Sequence, residues 1–175
     1  MVKMSNKMVS VKDLPFETEQ GCYKWWASKK ELVKLLPSLG LEFEQIREFL
    51  EEKNGFYCIY VGKSTNVRKR LICNHIDGSV RNSTFRRTIA GLMNYRKQCE
   101  QIINDEFIDK FKIEPIYGAF EKEKYYINEP MENSKETFFR ILNSECNKHK
   151  LAKISKKKIK DAREKIKKML KKKSK

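Results

Sequence analysis

The sequence lacks any paired cysteine motif. Its five cysteines stand alone, with no C-x-x-C spacing, and their number is odd; they are Cys22, Cys58, Cys73, Cys99 and Cys146. This distribution argues against a disulfide framework and against a zinc site. We therefore expect reduced thiols and a cytoplasmic location.

Long apolar runs, a signal-peptide core and internal repeats are also missing. No apolar stretch approaches the length of about 20 residues that a membrane-spanning helix needs, and the first residues lack the apolar core of a signal peptide. We expect no membrane partner. At 175 residues, of which 39% are hydrophobic, the chain is predicted to form one domain with a modest core.

Positive charge is concentrated at the C-terminal end of the sequence. The formal net charge is +16, and residues 148–175 hold 15 lysines and arginines against two acidic residues. The first 147 residues hold 24 basic and 21 acidic residues, so their net charge is only +3. Such a basic segment favours a polyanion partner and salt-sensitive binding. Its apolar residues recur at helical spacing, which predicts a basic amphipathic helix.

The order of the predicted elements indicates an α+β fold. Hydrophobic periodicity and turn signals predict strands at 21–23, 56–61, 111–117 and 125–127. The same signals predict helices at 28–36, 41–53, 83–93, 104–111 and 134–142, and a further helix after the second strand. We predict an α/β sandwich in which helices flank a small central sheet, mixed or antiparallel, of about three strands.

The domain organisation is predicted from composition and from the helical pattern. A flexible N-terminal arm precedes the main domain, which contains a helical insertion and is followed by the basic helical tail. The predicted ranges are 1–14 for the arm, 15–147 for the main domain, 28–53 for the insertion and 148–175 for the tail.

One segment carries most of the functional information. Residues 56–61 have the pattern of a buried strand that ends at Gly62. The helix predicted after it has Val67 and Leu71 on its apolar side. Basic side chains surround the rest of that helix: Arg68, Lys69 and Arg70.

Together with Gly21-Cys22-Tyr23, this segment resembles the GIY-YIG nucleases. The GCY sequence corresponds to the first half of the family's name, and YVG at 60–62 corresponds to the second. Lys63 follows the second glycine directly, and Arg70 lies ten positions after Tyr60, where the family carries its helix arginine. The two tyrosines are 37 positions apart in the sequence. The residues between them look like the inserted helices of restriction-type members.

The resemblance implies Mg²⁺-dependent hydrolysis of DNA phosphodiester bonds, with Mn²⁺ as a substitute ion. Tyr60 would take the proton of the attacking water, with Tyr23 beside it. Because a phenol ordinarily loses its proton near pH 10, that role needs cations nearby, which Lys63 and Arg70 would supply while neutralising phosphate charge. His75 lies five positions after Arg70 rather than four, and it either helps in proton transfer or faces solvent.

The family also implies one glutamate that starts a later helix and holds the metal ion. Glu136, followed by Phe138-Phe139 and then by Asn147, fits this pattern to within one position. Glu132 with Asn143 is the alternative. We expect Glu136 to be the metal ligand and Asn147 to brace the region. Either acid could instead be a solvated residue favoured by the dipole at a helix N-terminus.

Basic residues outside the tyrosine–glycine segment are predicted to contact the DNA backbone. An exposed basic pair is often only a solvated surface, and the tail alone would suit RNA or a membrane surface as well. The predicted DNA-binding residues are Arg68, Lys69, Arg86, Arg87, Lys156, Lys157 and Lys158.

These features predict a GIY-YIG endonuclease of restriction or phage type, with DNA as its partner. Cleavage of both strands would suit a homodimer. The alternative is a non-catalytic nucleic-acid-binding module that has the same fold and a degenerate site. The presence of Tyr60, Lys63, Arg70 and an acceptable glutamate favours the enzyme.

Overall fold

A five-stranded antiparallel sheet lies at the centre of the computed structural model, which describes residues 7–14, 19–95, 99–132 and 134–172. The first six residues of the predicted arm and the last three of the predicted tail lie outside this description. The spatial order of the strands is β1-β5-β2-β4-β3. Their bounds are β1 Val9–Ser10, β2 Gly21–Ser28, β3 Glu52–Lys53, β4 Phe56–Ser64 and β5 Lys112–Tyr117.

The predicted α+β class is confirmed, but the sheet has five strands instead of about three. β2 lies between β4 and β5 and pairs with both along most of its length. The two additional strands, β1 and β3, are only two residues long and pair with the ends of β5 and β4. Two residues are too few to show the alternating pattern by which a strand is recognised in a sequence.

The two motif glycines allow the long strands to pack closely. A Cβ atom added at Gly21 would collide with the carbonyl oxygen of Ile116 on β5. A Cβ atom added at Gly62 would lie 2.5 Å from both Cζ and Oη of Tyr23, its partner across the β2–β4 pair. Glycine at position 62 therefore gives the Tyr23 ring the space that it occupies over β4.

Seven α-helices surround the sheet within the described residues. Their bounds are α1 Lys29–Leu39, α2 Phe43–Ile46, α3 Val67–Lys69, α4 Thr84–Leu92, α5 Cys99–Glu106, α6 Glu123–Ile127 and α7 Ala152–Lys172. A π-helical segment, Arg70–Ile76, continues α3. Single 3₁₀ turns lie at Val11–Asp13, Arg47–Phe49, Ile108–Lys110 and Phe120–Lys122. None of the described helices combines the length and the apolar character needed to cross a membrane.

Both faces of the sheet are buried, as the two adjacent tryptophans of β2 show, since successive side chains of a strand point to opposite faces. Trp25 belongs to the main core between the sheet and the helices, where its ring stacks on Phe85 with centroids 4.8 Å apart. Trp26 belongs to a smaller cluster with Cys58, Val61 and Ile127. α7 packs against α4 and α1 and adds the buried residues Ile159, Ala162 and Ile166 to the main core.

The predicted helix at 41–53 is only partly present. It contains α2 and a 3₁₀ turn, after which the chain forms β3 and turns back into β4 through Asn54 and Gly55. Both turn residues have positive φ, as a tight hairpin requires. The helix ends earlier than predicted because Glu52 and Lys53 pair with Tyr57 and Phe56 as the first strand of this hairpin.

Two further element predictions are wrong. Residues 125–127 form part of α6 and not a strand, since the backbone N–H of Asn128 donates to the carbonyl oxygens of Lys124 and Tyr125. Residues 134–142 are not helical where the structure describes them. Their backbone groups bond to distant segments: Phe138 N–H donates to Glu129 O at 2.9 Å, and Phe139 N–H donates to Phe49 O at 2.7 Å.

Candidate active site

An open cleft of about 250 Å³ lies where β4, the π-helical segment, α6 and α7 come together. Its lining includes one tyrosine, two arginines and two glutamates: Tyr60, Arg70, Arg163, Glu123 and Glu145. These side chains come from five separate segments of the chain. The fold therefore assembles positive charge, negative charge and a phenol at one surface opening.

The π-helical segment sets the relative positions of Arg70 and His75. Its characteristic i→i+5 hydrogen bond is present, with the N–H of Asp77 donating to Ile72 O at 2.8 Å. A π-helix has a longer turn than an α-helix and is frequently found at functional sites. Two residues five positions apart therefore lie on the same side of it, and His75 is buried behind Arg70 instead of facing solvent.

His75 connects two hydroxyl groups inside the protein. Its Nε2 atom lies 2.8 Å from Tyr23 Oη, and its Nδ1 atom lies 2.7 Å from Ser83 Oγ. Burial lowers the pKa of His75 to about 3, and the positive charges of Arg70 and Arg86 act in the same direction. The imidazole is therefore neutral at pH 7, with one ring nitrogen donating and the other accepting.

Both tyrosines are protonated in the resting protein. Burial raises the pKa of Tyr23, and so does the proximity of Tyr60, while Arg70 opposes the shift. Burial also raises the pKa of Tyr60, and the cations Arg163 and Arg70 oppose that shift. Tyr60 is the tyrosine that lines the cleft, whereas Tyr23 is almost fully buried and bonded to His75.

Asn143 holds the backbone next to Tyr60. Its Oδ1 atom accepts from Val61 N–H at 2.8 Å, and its Nδ2 group donates to Val61 O at 2.9 Å. The neighbouring N–H of Leu142 donates to Ile59 O at 2.9 Å. The edge of β4 is thus paired on either side of Tyr60, which fixes the phenol at the cleft.

Glu123 is the acidic residue that begins a helix at this cleft. It is the first residue of α6, and Lys63 Nζ lies 3.7 Å from its Oε2 atom. Lys63 also lies over the ring of Phe120, 4.7 Å from the centroid. The predicted phosphate-neutralising lysine is therefore beside the cleft, where it faces a carboxylate.

Glu136 and Asn147 are not among the residues that line the cleft. Glu136 accepts from Lys150 Nζ at 2.7 Å, and its other carboxylate oxygen lies 3.7 Å from Nε2 of His149. Asn147 donates to the carbonyl oxygens of Arg140 and Asn143. Glu136 does not begin a helix, although its predicted role as metal ligand assumed that it would.

The predicted DNA-binding residues differ in exposure. Lys69 and the α7 lysines 156–158 are exposed, and Arg68 is half-buried. Arg87 is half-buried and donates to Val80 O at 3.0 Å and to Arg81 O.

Arg86 has no exposed surface, so the expectation that it contacts DNA disagrees with the structure. Its guanidinium donates to the carbonyl oxygens of His75, Ile76 and Glu100 and to Asn104 Oδ1. The sequence shows Arg86 and Arg87 as an adjacent basic pair, and such a pair does not reveal that one of its members is buried.

Sequence reasoning missed three contributors to the cleft. Glu123 was not considered, because the residues 125–127 that follow it were predicted as a strand and not as a helix. Asn143 was considered only as the partner of Glu132. Arg163 was treated as one charge among many in the tail, and the spacing of Ile159, Ala162 and Ile166 was the signal that placed it near the core.

The acidic residues at the cleft suit a weakly coordinated divalent ion. The described residues contain no group of three or more His, Cys, Asp or Glu side chains that could form a complete metal cage. Mg²⁺ usually keeps several waters and is held by one or two carboxylates together with substrate phosphate oxygens. Glu123, with Glu145 on the same cleft, provides this kind of donor set.

Comparisons with known proteins identify the family to which the chain belongs. A family model described as the GIY-YIG catalytic domain matches residues 21–165, which include β2, β4, the π-helical segment, α6 and most of α7. Neither a search of curated proteins nor a search of solved structures gave a match. Since the family model covers more than half of the sequence, the chain belongs to the GIY-YIG family of nuclease domains.

Proposed function

We propose that this chain is a divalent-metal-dependent endonuclease that hydrolyses DNA phosphodiester bonds. The observation that supports this most is the meeting of Tyr60, Arg70 and Glu123 at one open cleft, with the Tyr23–His75 pair directly behind it. Hydrolysis of a phosphodiester needs a proton acceptor for water and positive charge for the phosphate. The cleft offers both in a space that is open to a polymer.

Arg70 is the proposed primary phosphate ligand. The π-helical segment directs it into the cleft, and a guanidinium can donate two parallel hydrogen bonds to phosphate oxygens. It forms no ion pair with a carboxylate within 4.0 Å in the described part of the chain. Its guanidinium also interacts with the hydroxyl group of Tyr23, and its remaining donors can bind a substrate. Lys63 beside Glu123 adds positive charge at the edge of the site.

Tyr60 is the proposed proton acceptor. In its phenolate form it takes a proton from the water that attacks phosphorus, and the P–O bond to the leaving oxygen breaks on the opposite side. Burial keeps the pKa of Tyr60 above its ordinary value. We therefore expect the single-turnover rate to rise by up to about tenfold per pH unit below that pKa.

Tyr23 and His75 act as positioning residues in this proposal. The buried Tyr23–His75–Ser83 chain of hydrogen bonds fixes Tyr23 over Gly62, next to the strand that carries Tyr60. Because His75 stays neutral, it can shift a proton between two hydroxyls without carrying charge into the core.

Glu123 is the proposed metal-binding residue in place of Glu136. A bound Mg²⁺, for which Mn²⁺ can substitute, would supply Lewis-acid stabilisation of charge on the phosphate and leaving oxygen. Glu145 lies on the same cleft and can complete an outer set of oxygen ligands.

The wider surface supports a DNA substrate. Lys69 and lysines 156–158 are exposed and can neutralise backbone phosphates without reading sequence. The described residues bring this set of side chains together once per chain, so cutting both strands would require two copies or two encounters, and a homodimer is part of the proposal. A restriction role and a cytoplasmic location also remain proposals, supported by the α1–α2 insertion and by the free cysteines that the structure describes.

The function is tested by plasmid cleavage with and without Mg²⁺ at fixed low salt. Wild type should give nicked or linear DNA only with the metal, and Arg70→Ala and Tyr60→Phe should each remove this activity. Arg47→Ala, on the 3₁₀ turn after α2, is a matched control outside the cleft and should cut like wild type. A wild-type protein that shifts DNA in a gel and never cuts it would favour the non-catalytic binding module.

A further inference from the structure

α7 brings Arg163 to the wall of the cleft. This helix packs on α4 through Ile159, Ala162 and Ile166, and Arg163 follows Ala162 at the side that faces the cleft. It is the cation with the largest influence on Tyr60, and burial lowers the pKa of its own guanidinium. The basic C-terminal helix is therefore part of the cleft as well as part of the outer surface.

Two hydroxyl groups hold the Arg163 guanidinium in place. Nε donates to Thr88 Oγ1 at 2.7 Å, and Nη1 donates to Ser144 Oγ at 2.8 Å. Thr88 is fully buried on α4, and Ser144 is nearly so. Two donors on adjacent edges of a planar group define its orientation, so the guanidinium is preorganised in the absence of a ligand.

The charge of Arg163 is not matched by an ion pair with any residue that the structure describes. Its two hydrogen bonds go to neutral hydroxyls, and no carboxylate of the described residues lies within 4.0 Å. Glu145 influences it only from a greater distance. The Nη2 group has no hydrogen-bond partner among the residues that the structure describes. A partly buried, oriented cation without a counter-ion is expected to be stabilised by an anion that enters the cleft.

We propose that Arg163 is a second phosphate-binding residue of the active site, which donates from Nη2 to a phosphodiester oxygen while Arg70 binds the same phosphate group. This inference rests on the proposed nuclease function for its substrate, but the anion site itself does not depend on cleavage. It makes α7 necessary for catalysis, in contrast to a tail that only increases affinity.

The test uses the full chain and compares Arg163→Gln and Arg163→Lys with Lys160→Gln. Lys160 lies on the same helix and is exposed, so its substitution makes the same change in net charge away from the cleft. The first readout is the increase in melting temperature caused by inorganic pyrophosphate, without metal, relative to sodium chloride at equal ionic strength. The second is the single-turnover rate of DNA cleavage with Mg²⁺ and saturating protein.

Wild type and Lys160→Gln should show the same stabilisation by pyrophosphate and the same cleavage rate. Arg163→Gln should lose at least half of the stabilisation, and its rate should fall on the order of 100-fold. Arg163→Lys keeps the positive charge but lacks the planar guanidinium with its several fixed donors. Its stabilisation by pyrophosphate and its cleavage rate should therefore lie between those of wild type and Arg163→Gln. An Arg163→Gln variant that keeps both the stabilisation and the rate would overturn the proposal.

The two readouts separate this inference from the function on which it rests. If wild type cuts no DNA but Arg163→Gln still loses the pyrophosphate effect, the nuclease function fails and the anion site stands. If Arg163→Gln does not fold, the stabilisation by pyrophosphate is measured on Ser144→Ala instead. This substitution removes one of the two hydrogen bonds that orient the guanidinium of Arg163. A folded Ser144→Ala variant with undiminished stabilisation by pyrophosphate would count against the site.

Discussion

A methyl group added at Gly62 would fall inside the contact distance of the Tyr23 ring, and Gly62→Ala is therefore a direct test of how the site is built. The new Cβ would lie 2.5 Å from Cζ and Oη of Tyr23 and 2.8 Å from Cε2. The ring is 1% exposed, so it cannot move into solvent without disturbing the core. We expect the ring to shift and the 2.8 Å bond to His75 to break.

The energetic cost can be estimated from two effects. Overpacking a core costs roughly 1–3 kcal/mol, and a buried polar group that loses its partner costs about 1–3 kcal/mol. Because the ring can relax by giving up its hydrogen bond, the two costs do not add in full, and we expect the free energy of unfolding to fall by about 2–4 kcal/mol. For a chain of this size, that corresponds to a decrease in melting temperature of roughly 5–15 °C.

The assay is urea denaturation of Gly62→Ala, Tyr23→Phe and the double variant. Tyr23→Phe removes the Oη atom that the new methyl group meets, so the double variant should be less destabilised than the sum of the single variants. Gly55→Ala is the control, since a Cβ atom there meets no atom within 4 Å and only the positive φ opposes it. A Gly62→Ala variant within about 0.5 kcal/mol of wild type would refute the reasoning.

Three further predictions concern charge. The pKa of His75 is about 3 in the folded protein and ordinarily 6.5, so the stability that its neutral form contributes is complete above pH 6.5 and declines as the pH falls. Between pH 6.5 and 5, wild type should lose up to about 2 kcal/mol more free energy of unfolding than His75→Asn in urea titrations. Equal losses in the two proteins would contradict this prediction. Arg86→Met should lower the free energy of unfolding by about 3 kcal/mol or more, because several buried acceptors lose their donor; a wild-type denaturation curve would show that the guanidinium is not structural. Replacing lysines 156–158 with Gln should reduce the salt dependence of DNA binding by roughly 2–3 in the slope of log affinity against log salt, and an unchanged slope would exclude these side chains as phosphate contacts.

The strands that carry the tyrosines were predictable because their signals are local. The apolar run that begins at Phe56 and the glycines at 21 and 62 gave the centre of the sheet, and the Ser28–Glu31 capping pattern gave the start of α1. These signals rest on neighbouring residues and on backbone preferences. The structure adds the reason for both glycines, which is the close approach of β5 and of the Tyr23 ring.

The other side of the cleft was not predictable in the same way. His75 was placed off the face of Arg70 because an α-helical turn was assumed, and the π-helical segment removes that mismatch. Residues 134–142 have helical apolar spacing, but their backbone groups bond to distant segments. Glu123 and Arg163 reach the cleft only through the packing of α6 and α7, which depends on contacts far apart in the sequence.

The most direct test of the proposed active site compares two glutamates. Mg²⁺-dependent plasmid cleavage would be measured for Glu123→Gln and Glu136→Gln beside wild type, with melting curves to confirm that both variants fold. Our account predicts that Glu123→Gln loses activity on the order of 100-fold or more and that Glu136→Gln cuts within a few-fold of wild type. An inactive Glu136→Gln beside an active Glu123→Gln would contradict it and return the metal site to Glu136.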